Sequence, residues 1–381
     1  MKLMRPQENQ YLQIIIYEAT KKDRKMFSLI RFIIGGILSI FELFRLFNPN
    51  LLKSGKIKGI FTETKPFEAG FSQHYDKYLK DKVMTFEKER ILALKKSRRN
   101  FFISLPLMLL FPFVLVNINW FNLFGDNTLH FLIFIVLAFY GGIFLFITMS
   151  MTLYQDSIKT DIFPNILNFF GSFSYHPETT KSAGAYSYSE LIPKFSRETS
   201  EDHITGSYKG VQIDLFETEL EQVRRSNKNT YYVTVFDGII ITLSMNKEFK
   251  GKTIVRKDGG LLGNWFKNTF SSLENVKLED PNFEKIFEVF SDDQIEARYL
   301  LTVTFMERLN ELASVFGGKN IQCCFFKNEL LFVLPLKKNM FEPGSIYEPE
   351  DFVDDSKSLL EELNLIFSIV DTLKLNTKLN L

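Results

Sequence analysis

The sequence predicts an α+β protein in which a two-helix transmembrane hairpin is followed by a cytoplasmic domain of antiparallel sheet and packed helices. Three observations carry that expectation. Residues 100–125 and 127–155 are adjacent runs without a charged side chain, separated by Asp126 alone. Short β-rich runs bounded by turn residues begin after Tyr186. Helical patterns with capping signals follow from Ser291 onward, and strands first with helices after indicate α+β, not a doubly wound sheet.

The charge-free runs predict helices over about 101–121 and 129–154, each long enough to cross roughly 30 Å of hydrocarbon at 1.5 Å per residue. Pro106 and Pro112 predict a kinked first helix, tolerated where neighbours satisfy the carbonyls that proline frees. In the second, Ala138, Gly141 and Gly142 allow close approach of a partner helix. Orientation follows from the flanks. Lys82, Lys88, Arg90, Lys95, Lys96, Arg98 and Arg99 precede the first run, and residues 117–128 between the runs hold neither Lys nor Arg. By the positive-inside rule, both large polar parts face the cytoplasm, giving a multi-pass protein of the cell (inner or plasma) membrane. No cleavable signal peptide is visible, because the chain begins with a polar stretch.

Five regions are expected. Residues 1–65 are an N-terminal extension whose segment 26–47 is a helix with one narrow polar stripe, lying on the membrane, covered by protein, or spanning. Residues 66–99 form an amphipathic helix with Phe71, Tyr75, Tyr78, Leu79, Val83, Phe86, Ile91 and Leu94 on its apolar side. Residues 100–155 are the hairpin, 156–185 a membrane-proximal linker and helix, and 186–381 the soluble α+β domain. Within that domain, strands are expected over 204–208, 211–216, 231–236, 239–243 and 253–255, with Asp237-Gly238 as a tight hairpin turn. Ser291 and a capping box from Thr304 to Glu307 introduce helices. A second hairpin, 320–326 with 330–335, is expected to turn at 327–329, and a final helix covers about 354–373.

Composition excludes some functions. The 381 residues carry a net charge of +1 with 24% charged residues, so there is no basic field for nucleic acid. The 41 phenylalanines are a compositional bias, not a ring-lined site. Cys323 and Cys324 are adjacent, which suits two small strand residues in a reducing compartment rather than a disulfide. The four histidines, His74, His130, His176 and His203, show no metal-ligand spacing, and no metal or cofactor is expected. Asp202-His203 is the one candidate acid–base pair. The glycines at 259, 260 and 263 lack the Gly-Lys-Ser/Thr ending of a phosphate loop.

Residues 278–318 carry a recognisable phrase: Asp280, Pro281 and Phe283; Phe287, Val289 and Ser291; Asp293, Ala297, Arg298, Tyr299 and Leu301; and Met306 to Leu309. It resembles a bacterial family of two-transmembrane proteins catalogued as a domain of unknown function, numbered three-one-three-seven and sometimes labelled galanin. Asp202 with Gly206, Phe236 with Gly238, Phe249 with Gly251 and Thr253, and Phe341 to Pro343 match weaker positions. Val303 stands where members often carry proline. The resemblance covers the chain from about Phe71 and implies the hairpin design without an activity. Its motif supplies binding candidates Asp280, Phe283, Ser291, Asp293, Arg298 and Tyr299. Asp293 and Arg298 are also placed to pair across a helix start. The expected function is a membrane-anchored cytoplasmic binding, scaffold or sensor module, with the bilayer and a protein partner or second copy as partners. The alternative is a membrane-bound enzyme acting on lipid or envelope precursors through Asp202, His203 or the acidic motif.

Overall fold

The computed structural model describes residues 45–52, 60–118, 128–226, 229–257, 273–316, 321–336, 339–342, 344–347 and 352–375. The expected helix 26–47 lies almost wholly outside these residues, as do the loop around Trp120 and the glycines at 259–263 and 317–318. The fold is mixed helix and antiparallel sheet, as predicted. The described residues fall into two compact units. One is drawn from Met1–Ser54, Arg90–Met151 and Tyr347–Pro349, the other from Gly55–Glu89, Thr152–Ile346 and Glu350–Leu381.

Two helices are long and apolar enough to cross a membrane, α2 (Lys80–Asn117) and α3 (Thr128–Asp161); their residues 90–117 and 128–151 belong to the first unit, and 80–89 and 152–161 to the second. Their apolar side chains point outward: Leu109 is 71% exposed, Phe113 70%, Phe134 67% and Leu145 67%. The two helices also grip each other. The Phe111 and Phe139 rings stack with centroids 3.7 Å apart, and Asn100 Nδ2 donates to the Phe146 carbonyl at 2.8 Å. Pro112 has no N–H to give the Met108 carbonyl, and the Tyr140 hydroxyl donates to that oxygen at 3.3 Å. Polar side chains tie in the segment at 45–52. Fully buried Arg90 donates to Leu51 O at 3.2 Å, and Arg98 donates to Leu46 O and Asn48 O at 2.6 and 2.7 Å. Among the described residues the small-residue contact expected at Gly141 and Gly142 is not made, since a Cβ at either would meet nothing within 4 Å.

In the second unit, the helix expected over 66–99 is divided. Helix α1 (Phe71–Tyr78) stops at Leu79 before α2 begins. Phe71, Tyr75, Leu79, Val83 and Phe86 are buried as predicted, whereas Tyr78 is 45% exposed. After the short α4 (Phe163–Leu167) comes a seven-stranded antiparallel sheet: β1 (Phe173–Glu178), β2 (Arg197–Tyr208), β3 (Val211–Ser226), β4 (Asn229–Lys257), β5 (Glu274–Asn275), β6 (Phe287–Ser291) and β7 (Gln322–Pro335). The order is β1-β2-β3-β4-β6-β5, with β7 also on β4. Residues 253–255 of β4 pair with β6 and β7 together, so those strands flank it on opposite edges. One sheet face holds Phe216, Leu220, Phe236, Ile240, Ile254, Cys324, Leu331 and Val333 in a common core.

Two turn assignments are corrected. Asp237-Gly238 is mid-strand, with Glu219 opposite Asp237 and Thr218 opposite Gly238; the β3–β4 ladder runs outward to the pair Ser226–Asn229. Glycine is required at 238 by crowding, not by a turn, because a Cβ there would lie 2.1 Å from the Leu334 carbonyl oxygen. The two-residue turn with positive φ at both positions is Lys209 (50°) and Gly210 (86°), between β2 and β3. The predicted 320–335 hairpin is one continuous strand: β7 runs antiparallel to β4 along Val255 to Gly238, and β4 carries the extra residues at the register shifts on either side of Lys327, φ 56°.

Helices close the unit. α5 is Pro281–Glu284, α6 Gln294–Leu300, α7 Val303–Val315 and α8 Phe352–Leu373. Thr302 caps α7 by accepting the Phe305 N–H at 3.3 Å, in place of the capping box expected at Thr304. Phe367 of α8 packs its ring against Phe170, Phe173 and Tyr208.

Candidate functional site: a buried carboxylate cluster

The family-motif candidates are held by backbone and core. Asp280 Oδ1 accepts the Asn282 and Phe283 N–H groups at 2.8 and 3.2 Å, capping α5, and Phe283 is fully buried against Phe287. Ser291, also fully buried, shares a hydrogen bond with Thr253 at 2.9 Å and donates toward Lys252 O. Asp293 caps α6 through the Ile295 and Glu296 N–H groups. Asp292 accepts from Lys252 N, and Glu296 accepts from Lys250 N and Gly251 N, so the acids stitch α6 to an irregular stretch of β4. Gly251 permits that seam, since a Cβ there would sit 2.6 Å from Asp292 Oδ1. Arg298 does not pair with Asp293; its guanidinium reaches Gln294. Tyr299 is 46% exposed.

A different set of groups converges elsewhere in the same unit. Between Glu201 and Ile204 strand β2 carries one residue more than β3, a bulge that bends the strand and re-aims its side chains. Asp202 sits in it at φ 52°, a left-handed conformation that Asp tolerates better than most residues. Its side chain has no solvent exposure. Lys159, in the last turn of α3, reaches Asp202 Oδ1 and Oδ2 at 3.3 and 3.0 Å and Glu342 Oε1 at 2.9 Å. Glu201 stands 4.0 Å away. Tyr175 of β1 donates its hydroxyl to Asp202 Oδ1 at 2.5 Å. Asn339 Nδ2 donates to Glu201 and Glu342.

Glu217 of β3 lies directly across the ladder from Glu201. It is 4% exposed; Oε1 accepts the Met340 N–H at 2.7 Å, while Oε2 is buried without a hydrogen-bond partner. Burial pushes the Glu217 carboxyl up to about 8, with the charges of Asp202 and Glu201 adding to the rise against the Met340 hydrogen bond. Burial also lifts Asp202 to about 6, against the lowering pull of Tyr175 and Lys159. The Tyr175 hydroxyl is raised by burial and by Asp202, so it remains a donor. Three carboxyl groups thus lie within 4.0 Å of one ammonium, with Glu217 paired to Glu201 across the ladder. Chemically, the cluster can hold a proton on Glu217 near neutrality or share its oxygens with a cation.

Sequence reasoning singled out Asp202 as a partner for His203 and, with Gly206, as a weaker position of the family resemblance. The structure separates that pair: His203 Nε2 lies 3.2 Å from Asp214 Oδ1, and Asp202 faces Lys159. Lys159, Glu201, Glu217 and Glu342 are spread over 183 residues between Lys159 and Glu342. Glu201, Asp202, Glu217 and Glu342 all fall outside the strands the sequence predicts, and no local spacing links them.

Residues 234–375 match the family model described as Protein of unknown function (DUF3137). The resemblance carried by residues 278–318 is thereby shown over that segment. The DUF3137 segment holds Glu342 and the whole Asp280–Tyr299 motif; Lys159, Tyr175, Glu201, Asp202 and Glu217 precede it. No curated protein matches the chain. Among solved structures, the crystal structure of the mycobacterial trehalose monomycolate transport factor A, TtfA, is similar at 12% identity over 53% of this chain and 88% of that one. Its TM-score is 0.30, too low to carry an argument about fold or function.

Proposed function

We propose that this is an integral protein of the cell membrane in which α2 and α3 form a transmembrane hairpin and the α+β unit is a cytoplasmic binding, scaffold or sensor module. The outward-facing apolar surface of the two helices carries the reading. Fully burying one Leu or Phe side chain is worth about 1.5–3 kcal/mol, and both helices expose such side chains turn after turn. A bilayer covers that surface at no cost in backbone hydrogen bonds, which helices satisfy internally. Sidedness is supported by exposed Lys95, Lys96 and Arg99 on the flank of α2, with no Lys or Arg in residues 117–128. With the bilayer as one partner, a protein or a second copy of the chain is the other.

Topology labelling tests it. In intact cells, an impermeant thiol reagent is expected to modify cysteine placed at Asn122 and to leave cysteine at Ser226 unmodified until the membrane is permeabilised. Labelling at Ser226 from outside reverses the orientation, and release of the protein by alkaline carbonate removes the membrane reading. Affinity capture in mild detergent then identifies the partner.

A further inference from the structure

The carboxylate cluster is not required by the membrane reading. Glu201, Asp202 and Glu342 each offer an oxygen, and those oxygens all lie within 4.8 Å of one another. Calcium bonds oxygen at about 2.3–2.6 Å, so oxygens sharing one ion stand no more than about 5.2 Å apart, a limit these three meet. Three protein carboxylates in one cage suit calcium, whereas magnesium keeps several waters and takes one or two carboxylates. Access is available because the side chains of Glu201 and Glu342 are 41% and 42% exposed, while Asp202 forms the closed floor.

A second observation is independent of the three. Glu217 is directly opposite Glu201 on the ladder, 4% exposed, with Oε2 buried and unpartnered. Buried polar atoms are normally satisfied, and a carboxylate oxygen is an acceptor that only a donor or a cation can satisfy. Met340, whose N–H holds the other oxygen, is two residues from Glu342, so the Glu217 carboxyl is fixed beside the cluster on both its strand and its chain neighbours. Meanwhile one ammonium, that of Lys159, faces Asp202 and Glu342 where a cation would sit.

We propose that Glu201, Asp202 and Glu342, backed by Glu217, bind a divalent cation of calcium size, and that the Lys159 ammonium takes its place when the ion is absent. Binding draws the carboxylates onto the ion and releases Lys159, so the two cations compete for one set of oxygens. This gives the binding module a ligand class, but it rests on these residues and not on the bilayer; labelling at Asn122 and Ser226 succeeds or fails separately.

The test uses the full chain in detergent micelles, stripped with EDTA and titrated with CaCl2 or MgCl2 at matched ionic strength, read by thermal unfolding and by radioactive calcium binding. A saturable rise in Tm with CaCl2, larger than with MgCl2, is expected. Glu342→Gln, at a half-exposed position, should weaken the calcium response about tenfold, and Lys159→Met should strengthen it by a similar factor by removing the competitor. No saturable calcium response, an equal or stronger response to MgCl2, or a calcium response that both variants leave unchanged overturns the proposal.

Discussion

The Tyr140 hydroxyl donates to the carbonyl oxygen of Met108, four residues before Pro112. That carbonyl is the one whose helical donor proline removes. The bond therefore has a conditional value, and a double-mutant cycle reads it. Tyr140→Phe is expected to destabilise the helix pair by about 1 kcal/mol in the native background and by much less with Pro112→Ala, where the backbone N–H returns. Reversible unfolding in mixed micelles measures the coupling; equal costs in both backgrounds would show that the hydroxyl does not stand in for the N–H that Pro112 lacks.

Asp293 is expected to be a capping residue first. Its carboxylate holds two N–H groups at the start of α6, so Asp293→Ala should cost about 1 kcal/mol, with Asp293→Asn retaining most of the stability. Chemical denaturation of the two variants decides. If Asn behaves as badly as Ala, the charge of Asp293 has a duty beyond the cap.

What the sequence made legible, and what it concealed, follows from the range of the interactions. Charge-free runs and helical periodicity act within a few residues, so the helices that became α2, α3 and α8 were readable from the chain, while the cap of α7 was misplaced by two residues, at Thr304 instead of Thr302. Asp237-Gly238 was misread because the same pair of letters serves a tight turn and a crowded strand; only the approach of Leu334, nearly a hundred residues later, distinguishes them. The continuous β7 was concealed for the same reason, since Lys327 takes positive φ inside a strand held by β4. The carboxylate cluster was least visible. Lys159, Asp202, Glu217 and Glu342 come from a helix, a bulge, a strand and a loop, and no local spacing announces their meeting.

Cys323 and Cys324 are each 1% exposed, and burial pushes the Cys324 thiol up to about 12. Since the thiolate is the reacting form, neither is expected to react appreciably with a maleimide or a disulfide reagent at pH 8 while the fold is intact. Both should react on unfolding in guanidinium. Mass spectrometry of alkylated protein checks this, and rapid labelling of the native chain would place the β7 core in a more open state.

The Lys159 ion pair predicts an asymmetry. Lys159→Met leaves Asp202 buried beside Glu201 and Glu342 with no ammonium among them, and breaking a buried pair in this way costs about 3 kcal/mol or more at neutral pH. Adding Asp202→Asn to that variant should recover part of the loss by removing the uncompensated charge. Additive losses in thermal melts would show that the two residues contribute independently.

Glu217 sets a pH dependence whose sign is fixed by the direction in which burial moves its carboxyl. Its folded value, about 8, lies above the ordinary value of 4.5, so the folded protein holds a proton that the unfolded chain has released between those limits. Stability from this group is therefore fully present below about 4.5 and is lost as pH rises through about 8. In EDTA, the protein should become easier to unfold between pH 6 and pH 9. Glu217→Gln keeps an oxygen for the Met340 N–H and cannot ionise. It should flatten that limb and be more stable at pH 9 by on the order of 2 kcal/mol, since each tenfold change in proton affinity is worth about 1.4 kcal/mol before the fold relaxes. Urea unfolding of both proteins across the range is the measurement. If Glu217→Gln melts in parallel with the native chain from pH 6 to pH 9, the carboxyl is already ionised in the fold and some other group compensates its charge.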